Sequence, residues 1–214
     1  MEMTEEHDVM RQQLVSGIDD LDCLLSLEQQ QQMITYLVLL EKWNRTHNLT
    51  AIRDFQKMVT HHLMDSLSII PYLSGDFILD VGTGGGVPGV PLAIACREKK
   101  FVLVDSNSKK TRFLMHATQE LGLSNVEVRH TRVEQLSHIP MFDVIMARAV
   151  STLSNLLRWT RPLLKDKGQW VLMKGAYPRD ELQSISLPYK TIPITVPGLH
   201  AERHVVVIEQ IGIK

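Results

Sequence analysis

Short apolar runs alternate with amphipathic stretches through the middle of the chain. The apolar runs predict strands over 77–81, 101–105, 125–130, 142–147 and 169–174. The stretches between them predict helices over 88–97, 108–121 and 152–164, with a shorter turn near 133–138. Strand alternating with helix in this way is the pattern of a doubly wound α/β fold with a parallel sheet.

The C-terminal part departs from that alternation. After a helix near 179–186, two strands are predicted, Tyr189–Val196 and His204–Gln210, and the link between them contains Pro197 and Gly198. So short a link makes the two strands antiparallel, because a parallel crossover needs about a dozen residues or more. The expected sheet is therefore mostly parallel and ends in an antiparallel hairpin.

Residues 1–75 are predicted to form a helical extension before the sheet. Residues 1–25 have the pattern of a loosely held helix, and the capping-box spacing of Ser26 and Gln29 predicts a second helix over 26–45. Asp54 is in position to cap a third helix that runs to about Leu73. We expect this extension to pack on residues 76–214, the second compact unit.

Length, composition and cysteine content narrow the class of protein. The 214 residues allow one domain plus an extension, and no apolar run is long enough to span a bilayer. The acidic N-terminus lacks the basic and apolar segments of a signal peptide, and the two cysteines, Cys23 and Cys96, have neither metal-ligand spacing nor a disulfide framework. We therefore expect a cytoplasmic protein with no membrane segment.

Charge is distributed unevenly along the chain. Residues 1–30 hold eight acidic residues and one basic residue, whereas residues 31–214 hold 22 basic and 16 acidic residues. A net charge of +6 over that larger part is compatible with a nucleic-acid partner. A mildly basic chain is also common among proteins that bind no nucleic acid, so this charge alone does not identify the partner.

The segment Asp80–Gly89 begins at the end of the first strand and contains five glycines, which allow the backbone to approach a ligand closely. The spacing of Gly84, Gly86 and Gly89 fits a dinucleotide loop, whereas Asp80, Gly82, Gly84 and Gly86 fit an S-adenosylmethionine (AdoMet) loop. A carboxylate at the mouth of the loop suits the cationic sulfonium of AdoMet and would repel a pyrophosphate. AdoMet is therefore favoured over a dinucleotide or a purely structural turn. With the terminal hairpin, this loop is typical of the Rossmann-like class I AdoMet-dependent methyltransferases.

In an open α/β sheet, ligands bind at the C-terminal ends of the strands. Asp105 ends the second strand and is placed to accept hydrogen bonds from ribose hydroxyls, the alternative being a helix-capping acid. Val133 and Glu134 follow the third strand, where an adenine ring would lie, the alternative being an acid that favours a helix N-terminus. The basic residues on the helix after Asp105 are expected to form a solvated face, namely Lys109, Lys110 and Arg112.

Arg148 follows the fourth strand and limits the possible acceptors. The chain lacks the Asp/Asn-Pro-Pro-aromatic motif of amino methyltransferases there, a cysteine nucleophile after strand four or five, and the Lys-Asp-Lys-Glu set of ribose methyltransferases. What remains is an acceptor with a free lone pair, such as guanine N7, which needs no general base. We expect Arg148 to bind the cofactor carboxylate, with a structural ion pair as the alternative.

His61 and His62 precede Asp65 on the third predicted helix. No other residue has spacing suited to a shared metal, so a metal site is not expected. His62 and Asp65, three residues apart, are expected to pair on one helix face. The candidate catalytic residues are Arg148 and, through a polar contact at the pocket mouth, His62. The alternative is a histidine of the surface or core.

Several motifs together resemble the bacterial ribosomal RNA small-subunit methyltransferase G family, also called glucose-inhibited division protein B. They lie in order over about residues 26–210 and comprise Lys42-Trp43-Asn44, Asn48-Leu49-Thr50, His62, Asp65-Ser66, Asp80 to Gly89, Arg132-Val133-Glu134, Arg148-Ala149, Lys174-Gly175, Gly198 and Glu202-Arg203-His204. Family members often have proline where this chain has Gly85, which predicts a slightly more flexible loop. Residues 1–25 do not match well.

The resemblance implies AdoMet-dependent methylation of N7 of one guanine in small-subunit (16S) ribosomal RNA. It implies cofactor contacts at Gly82, Val87, Val133, Glu134 and Arg148, and Asp105 matches the family's acid after strand two. Candidate contacts to RNA phosphates are Lys42, Arg45, Asn48, Arg53 and Lys174. The protein is expected to be a monomer. The alternatives are an AdoMet enzyme with a non-RNA acceptor and a non-catalytic ribosome-assembly factor.

Overall fold

The computed structural model describes residues 5–137 and 141–210, and its centre is one seven-stranded sheet. Parts of three predicted segments lie outside the described residues: 1–4 of the extension, 138 of the turn, and 211–214 of the sheet unit. The strands are β1 (Phe77–Val81), β2 (Lys100–Asp105), β3 (Val126–His130), β4 (Phe142–Arg148), β5 (Leu164–Lys174), β6 (Tyr189–Pro193) and β7 (His204–Glu209). They lie in the order β3-β2-β1-β4-β5-β7-β6.

Strand direction confirms the predicted fold class. Strands β1 to β5 pair in parallel, and β7 pairs antiparallel with both β5 and β6. The strand order reverses at β1, which has β2 on one side and β4 on the other. The C-terminal ends of β1, β2 and β4 therefore form the crevice in which such sheets bind ligands.

The helices after β1 cover the sheet as predicted, with shifts at their ends. They are α5 (Gly89–Ala95), α6 (Ser108–Glu120), α7 (Leu153–Thr160) and α8 (Arg179–Leu182). The helix predicted over 152–164 ends early, because Pro162 lies in a 3-10 turn over Arg161–Leu163 and Leu164 already pairs with Phe142 as the start of β5. The helix predicted near 179–186 is reduced to one turn.

The N-terminal extension is built from helices that share a core with the sheet. They are α1 (Glu5–Asp20), α2 (Leu27–His47), α3 (Phe55–Met58), a π-helical turn (Val59–Met64) and α4 (Asp65–Leu67). The Ser26–Gln29 capping box is present, and the Asp54 side chain caps α3. The description of residues 1–25 as loosely held is wrong for α1, because Met10, Leu14 and Ile18 are at most 3% exposed.

One hydrophobic cluster contains these α1 side chains, α2 side chains such as Leu37, and sheet-domain side chains such as Val90 and Leu114. The division into residues 1–75 and 76–214 stays a prediction. Within the ranges that the structure describes, no helix is long and apolar enough to cross a membrane.

Candidate functional site

The glycine loop joins β1 to α5 with a backbone that only glycine adopts easily. Gly82, Gly84 and Gly86 have φ angles of 62°, 64° and 97°. A side chain at Gly86 would meet Val90 and Leu114 within 2.7 Å, so both conformation and space require glycine there. The loop is joined to β2 because the Thr83 N–H donates to the Val104 carbonyl at 3.1 Å.

Asp80 lies beneath this loop, and its expected position at the loop mouth is wrong. The side chain is fully buried, and Oδ2 accepts a hydrogen bond from the Gly89 N–H at 3.0 Å. Oδ1 has no hydrogen-bond partner among the described residues. Burial raises the pKa of Asp80 to about 7, although Thr83, the Gly89 N–H and Arg148 act in the opposite direction. The carboxylate thus holds the start of α5 against β1.

Tyr36 of α2 holds the other side of the loop. Its hydroxyl donates to the Gly85 carbonyl at 2.7 Å, and the residue is fully buried. A Cβ at Gly85 would lie 3.1 Å from Leu40 of the same helix. The helical extension therefore contacts the cofactor loop directly, at the position where the chain lacks the family's frequent proline.

A pocket of about 360 Å³ opens at the crevice between β1, β2 and β4. Four of the predicted cofactor residues line it: Gly82, Asp105, Val133 and Glu134. The others, Asp80, Gly84, Gly86, Val87 and Arg148, lie outside its lining. The remaining lining residues are Val81, Val104, Ser106, Lys110, Thr131, Arg132, Ala149, Val150 and Trp159.

Asp105 is fixed by backbone donors on both sides. Its Oδ2 accepts from the Gly84 N–H at 2.9 Å and its Oδ1 accepts from the Asn107 N–H at 2.8 Å. Asn107, and not Asp105, is the N-cap residue of α6. Each carboxylate oxygen keeps a further lone pair, so the side chain can still accept hydrogen bonds from two vicinal hydroxyl groups.

Of the nine lining residues that are not among the predicted site residues, Lys110 and Trp159 have the largest side chains besides Arg132. Lys110 was assigned to a solvated face with Lys109 and Arg112, but it is half-buried and lines the pocket, whereas its two neighbours are exposed. Trp159 reaches the pocket from α7, and no local motif marks it. The helical phase of α6 is the one signal that separates Lys110 from Lys109 and Arg112.

A second pocket of about 420 Å³ lies beside the first, at the ends of β4 and β5. Its lining residues are Asp65, Arg148, Ala149, Met173, Lys174, Gly175 and Arg203. Ala149 belongs to both pockets and has a φ of 56°, which is unfavourable for a residue with a side chain. The backbone is thus bent where the two pockets meet.

Asp65 joins two arginines in this second pocket. It is 2% exposed, and its oxygens accept from Arg148 Nη1 and Arg203 Nε, both at 2.9 Å. Arg148 Nη1 also donates to the His61 carbonyl at 2.8 Å. The ion pair considered as the alternative for Arg148 is therefore present, and Asp65 pairs with arginines instead of with His62.

His62 is a core residue, so the expected polar contact at the pocket mouth is wrong. It is 3% exposed, and its Nε2 lies 3.1 Å from Thr50 Oγ1. Burial, followed by the nearby Arg148 guanidinium, lowers the pKa of His62 to about 4. The imidazole is therefore neutral at physiological pH and has no access to a substrate.

The predicted RNA contacts of the extension lie at a groove of mixed charge. Arg45 and Arg53 line a groove of about 600 Å³ together with four acidic residues, Glu5, Glu6, Glu41 and Asp54. Arg45 Nε donates to Glu41 at 2.7 Å. Lys42 and Asn48 are exposed, and Asn48 is the left-handed C-cap of α2.

Lys174, the remaining predicted RNA contact, lies in the second pocket and donates to both carboxylate oxygens of Glu181 at 2.8 and 2.9 Å. Considering residues 5–137 and 141–210 only, no three His, Cys, Asp or Glu side chains are grouped to hold a metal ion.

The fold and the glycine-loop site together define the class of protein. A parallel sheet with this strand order, a terminal antiparallel strand and a glycine loop facing an acid at the end of β2 is the arrangement of a class I AdoMet-dependent methyltransferase. Two solved structures share the fold. An Aquifex aeolicus AdoMet-dependent methyltransferase aligns with a TM-score of 0.57 at 16% identity, over 79% of this chain and 97% of that one. A putative AdoMet-dependent methyltransferase of Methanococcus maripaludis aligns with a TM-score of 0.57 at 13% identity, over 83% and 93%.

The chain belongs to the rRNA small subunit methyltransferase G (GidB) family, whose model matches residues 29–206. A ribosomal RNA small subunit methyltransferase G of Coxiella burnetii is 46% identical over 200 residues, which cover 94% of this chain and 98% of that protein. The protein of the same name from Marinobacter nauticus is 47% identical over 199 residues, covering 92% and 93%. The family resemblance inferred from the motifs is therefore confirmed.

Proposed function

We propose that this protein transfers the methyl group of AdoMet to N7 of one guanine in small-subunit ribosomal RNA. Membership of the methyltransferase G family over residues 29–206 carries this proposal. The site supports it, since the pocket at the crevice of the sheet combines a glycine loop, an acid after β2 and a short turn after β3. We also propose that the protein acts in the cytoplasm, which its proposed substrate supports, and that it acts as a monomer.

The residues of the first pocket fit the nucleoside part of AdoMet. Asp105 has free lone pairs for the two ribose hydroxyls. Gly82 lets the backbone itself border the pocket, and no side chain fits there because a Cβ would lie 2.6 Å from Val150 Cγ2. The exposed Glu134 carboxylate is placed to accept from an exocyclic amine beside the buried Val133. Asp80, Gly84, Gly86 and Val87 act by shaping the loop, and Arg148 by attracting the cofactor carboxylate from the adjoining pocket.

The chain's own contribution to catalysis is positioning and electrostatics. AdoMet supplies, when bound, a methyl group that the lone pair of a ring nitrogen takes up as the sulfonium becomes a thioether, and no proton is transferred. A general base is therefore not required, which agrees with the burial of His62. Arg148 is the remaining catalytic candidate, because its guanidinium lines the second pocket beside the bent backbone at Ala149, where the two pockets meet.

RNA binding is proposed for the cations near this edge. Lys42, Arg45, Asn48, Arg53 and Lys174 stay predictions. Arg45 and Lys174 already have carboxylate partners, and a phosphate would have to compete with Glu41 and Glu181 for them. Lys42 and Arg53 are exposed, and their side chains form no hydrogen bond or ion pair with another described residue, so they are the better candidates of the extension.

The test is methyl transfer to the natural substrate. Purified protein is incubated with radiolabelled AdoMet and small ribosomal subunits from cells that lack the endogenous enzyme, and the RNA is then cleaved chemically at N7-methylguanine. We expect one cleavage site and label in no other fraction. Labelled RNA without cleavage would contradict the N7 acceptor. AdoMet binding without any label in RNA would favour a non-RNA acceptor or a non-catalytic assembly factor.

A further inference from the structure

The second pocket contains two guanidinium groups that one buried carboxylate orients. One carboxylate oxygen of Asp65 accepts a hydrogen bond from Arg148 and the other accepts one from Arg203. The side chains of these two arginines are 26% and 22% exposed. The single negative charge of Asp65 neutralises only one of them. Lys174 in the same pocket is neutralised by Glu181, so the five groups together carry a net charge of +1.

Both arginines keep hydrogen-bond donors for a ligand. Arg148 uses only Nη1, for Asp65 and the His61 carbonyl. Arg203 uses Nε for Asp65 and Nη1 for the Glu202 carbonyl. Among the described residues, Nε and Nη2 of Arg148 and Nη2 of Arg203 have no partner. Guanidinium donors held at a half-open pocket of positive charge are suited to an oxyanion.

The proposed function brings two oxyanions to this site, the carboxylate of AdoMet and a phosphate of the RNA. The order of the strands indicates which arginine lies nearer to each of them. Arg148 ends β4 and precedes Ala149, which borders the cofactor pocket. Arg203 directly precedes β7, which lies beyond β5 and therefore two strands farther from the cofactor crevice. Arg148 is thus the arginine nearer the cofactor, and Arg203 is the one farther from it, which leaves Arg203 for a phosphate of the RNA.

We propose that Arg203 binds an RNA phosphate beside the acceptor guanine, and that Asp65 is the positioning residue that holds Arg203 and Arg148 in register. This inference rests on the proposed function and adds to it the part of the site that receives the RNA backbone. A guanidinium already oriented by a buried carboxylate loses little rotamer freedom when a phosphate binds. The two arginines are close enough to share Asp65, so the phosphate and the cofactor carboxylate are recognised side by side.

The test compares Arg203→Met with a matched control, Arg97→Met. Arg97 is also an arginine paired with a carboxylate, Glu28, but it is more exposed than Arg203 and lies at the opposite end of the parallel strands, near the start of β2. For each purified protein we would measure the Kd for AdoMet by calorimetry and the KM and Kd for small subunits at several salt concentrations. Thermal unfolding confirms that each variant folds.

For Arg203→Met we expect about a tenfold weaker affinity for the small subunit, with the KM raised more than the kcat is lowered. The slope of log K against log salt should fall by about one, because one phosphate contact is lost. The Kd for AdoMet should stay within about twofold of the wild-type value. Arg203→Lys retains the charge and should recover most of the salt slope. If the methionine variant fails to fold, Arg203→Gln takes its place with the same expected losses, because it removes the charge and keeps a polar group beside Asp65. Arg97→Met should match the wild type throughout.

An unchanged subunit affinity and salt slope in Arg203→Met, next to a wild-type protein that methylates the subunit, would overturn the inference alone. A large loss of AdoMet affinity with unchanged RNA affinity would also overturn it, since Arg203 would then hold the cofactor carboxylate. A wild-type protein that labels no RNA would instead overturn the proposed function. The affinities for AdoMet and for the small subunit are measured without methyl transfer, so they would still show whether Arg203 binds RNA.

Discussion

The guanidinium of Arg148 influences three buried ionisable side chains around the site. It lowers the pKa values of Asp80, His62 and Tyr36, although burial is the largest cause of the shift in each case. Burial and Arg148 act together on His62 and oppose each other at Asp80 and Tyr36. The result is a neutral imidazole and a carboxylate that titrates near neutrality, both within the wall of the site.

Asp80 is expected to make the protein less stable as the pH rises. Its pKa is about 7 in the folded protein and near 3.8 when unfolded, so the folded state binds more protons in between. Stability from this group is present at low pH and is lost as the pH rises through 7. As the pH rises from 5 to 8, the free energy of unfolding of Asp80→Asn should increase by about 2 kcal/mol relative to that of the wild type. Denaturant unfolding at both pH values measures this difference.

The titration of His62 does not affect the comparison between Asp80→Asn and the wild type. Its lowered pKa gives the opposite trend, with stability lost as the pH falls from about 6.5 towards 4, but it is present in both proteins and its effect cancels in the difference. The amide oxygen of Asn can still accept the hydrogen bond from Gly89. Equal pH profiles for the two proteins would show that Asp80 is ionised throughout.

Asp105 is the residue on which nucleoside binding most depends. In Asp105→Asn the side chain keeps one acceptor oxygen, so it can no longer serve the backbone donors on both sides and the ribose hydroxyls as well. We expect AdoMet binding to weaken by about 1–3 kcal/mol, measured by calorimetry. Asp166→Asn, at an exposed position of β5, is the control and should bind as the wild type does. An unchanged Kd for Asp105→Asn would remove Asp105 from the ribose site.

At the scale of elements, α2 and the glycine loop form one unit. The Tyr36 hydroxyl is fully buried and reaches the Gly85 carbonyl from α2, while Leu40, one turn later, packs beside the same glycine. A loop with glycine at 85 is more flexible in isolation than one with proline. The contact from α2 restrains it, so the extension contributes to the cofactor site without lining the pocket.

Tyr36→Phe tests this contact. It leaves a buried carbonyl without its donor, which should lower the free energy of unfolding by about 1–3 kcal/mol. If the loop also loosens, the Kd for AdoMet should rise by several-fold. Tyr72→Phe is the control, because the Tyr72 hydroxyl has no hydrogen-bond partner in the described part of the chain. Normal AdoMet affinity in a destabilised Tyr36→Phe would mean that α2 stabilises the fold and does not position the loop.

Elements with strong local patterns were predictable. The five parallel strands and the antiparallel end follow from apolar runs, glycine spacing and the short link before β7, and the positions of Gly82, Asp105, Val133 and Glu134 follow from the rule that ligands bind at strand ends. The burial of Asp80 was not predictable in the same way. Its side-chain direction depends on α5 packing back over β1, which brings Gly89 onto the carboxylate.

Partners far apart in sequence were missed for the same reason. Asp65 and Arg203 are separated by 138 positions, and no pattern around either residue indicates that they meet. His62 and Asp65 have the spacing of a helical pair, but the helix is a π-helical turn at that point, and both side chains instead bond to residues outside it. Local periodicity therefore predicted elements well and long-range pairs poorly.

At the scale of the whole molecule, the acidic N-terminal helix is part of the main core. Met10, Leu14 and Ile18 of α1 belong to the same hydrophobic cluster as Val90 behind the glycine loop and Val171 of β5. A continuous core of this kind predicts one cooperative unfolding transition for extension and sheet together. The acidic outer face of α1 is separate from that role, and it lowers the positive charge beside Arg45 and Arg53.

Leu14→Ala tests whether the extension and the sheet unfold together. Leu14 is fully buried, so the truncation should lower the free energy of unfolding by about 2–5 kcal/mol. Leu24→Ala, at a position that is 94% exposed, is the control and should change stability by less than about 0.5 kcal/mol. Hydrogen exchange distinguishes the two cases: in a cooperative core, amides of β1 and β2 lose protection by the same amount as those of α1. Loss of protection confined to α1 would mean that the first helix opens by itself, and AdoMet binding would then survive in the variant although its stability is reduced.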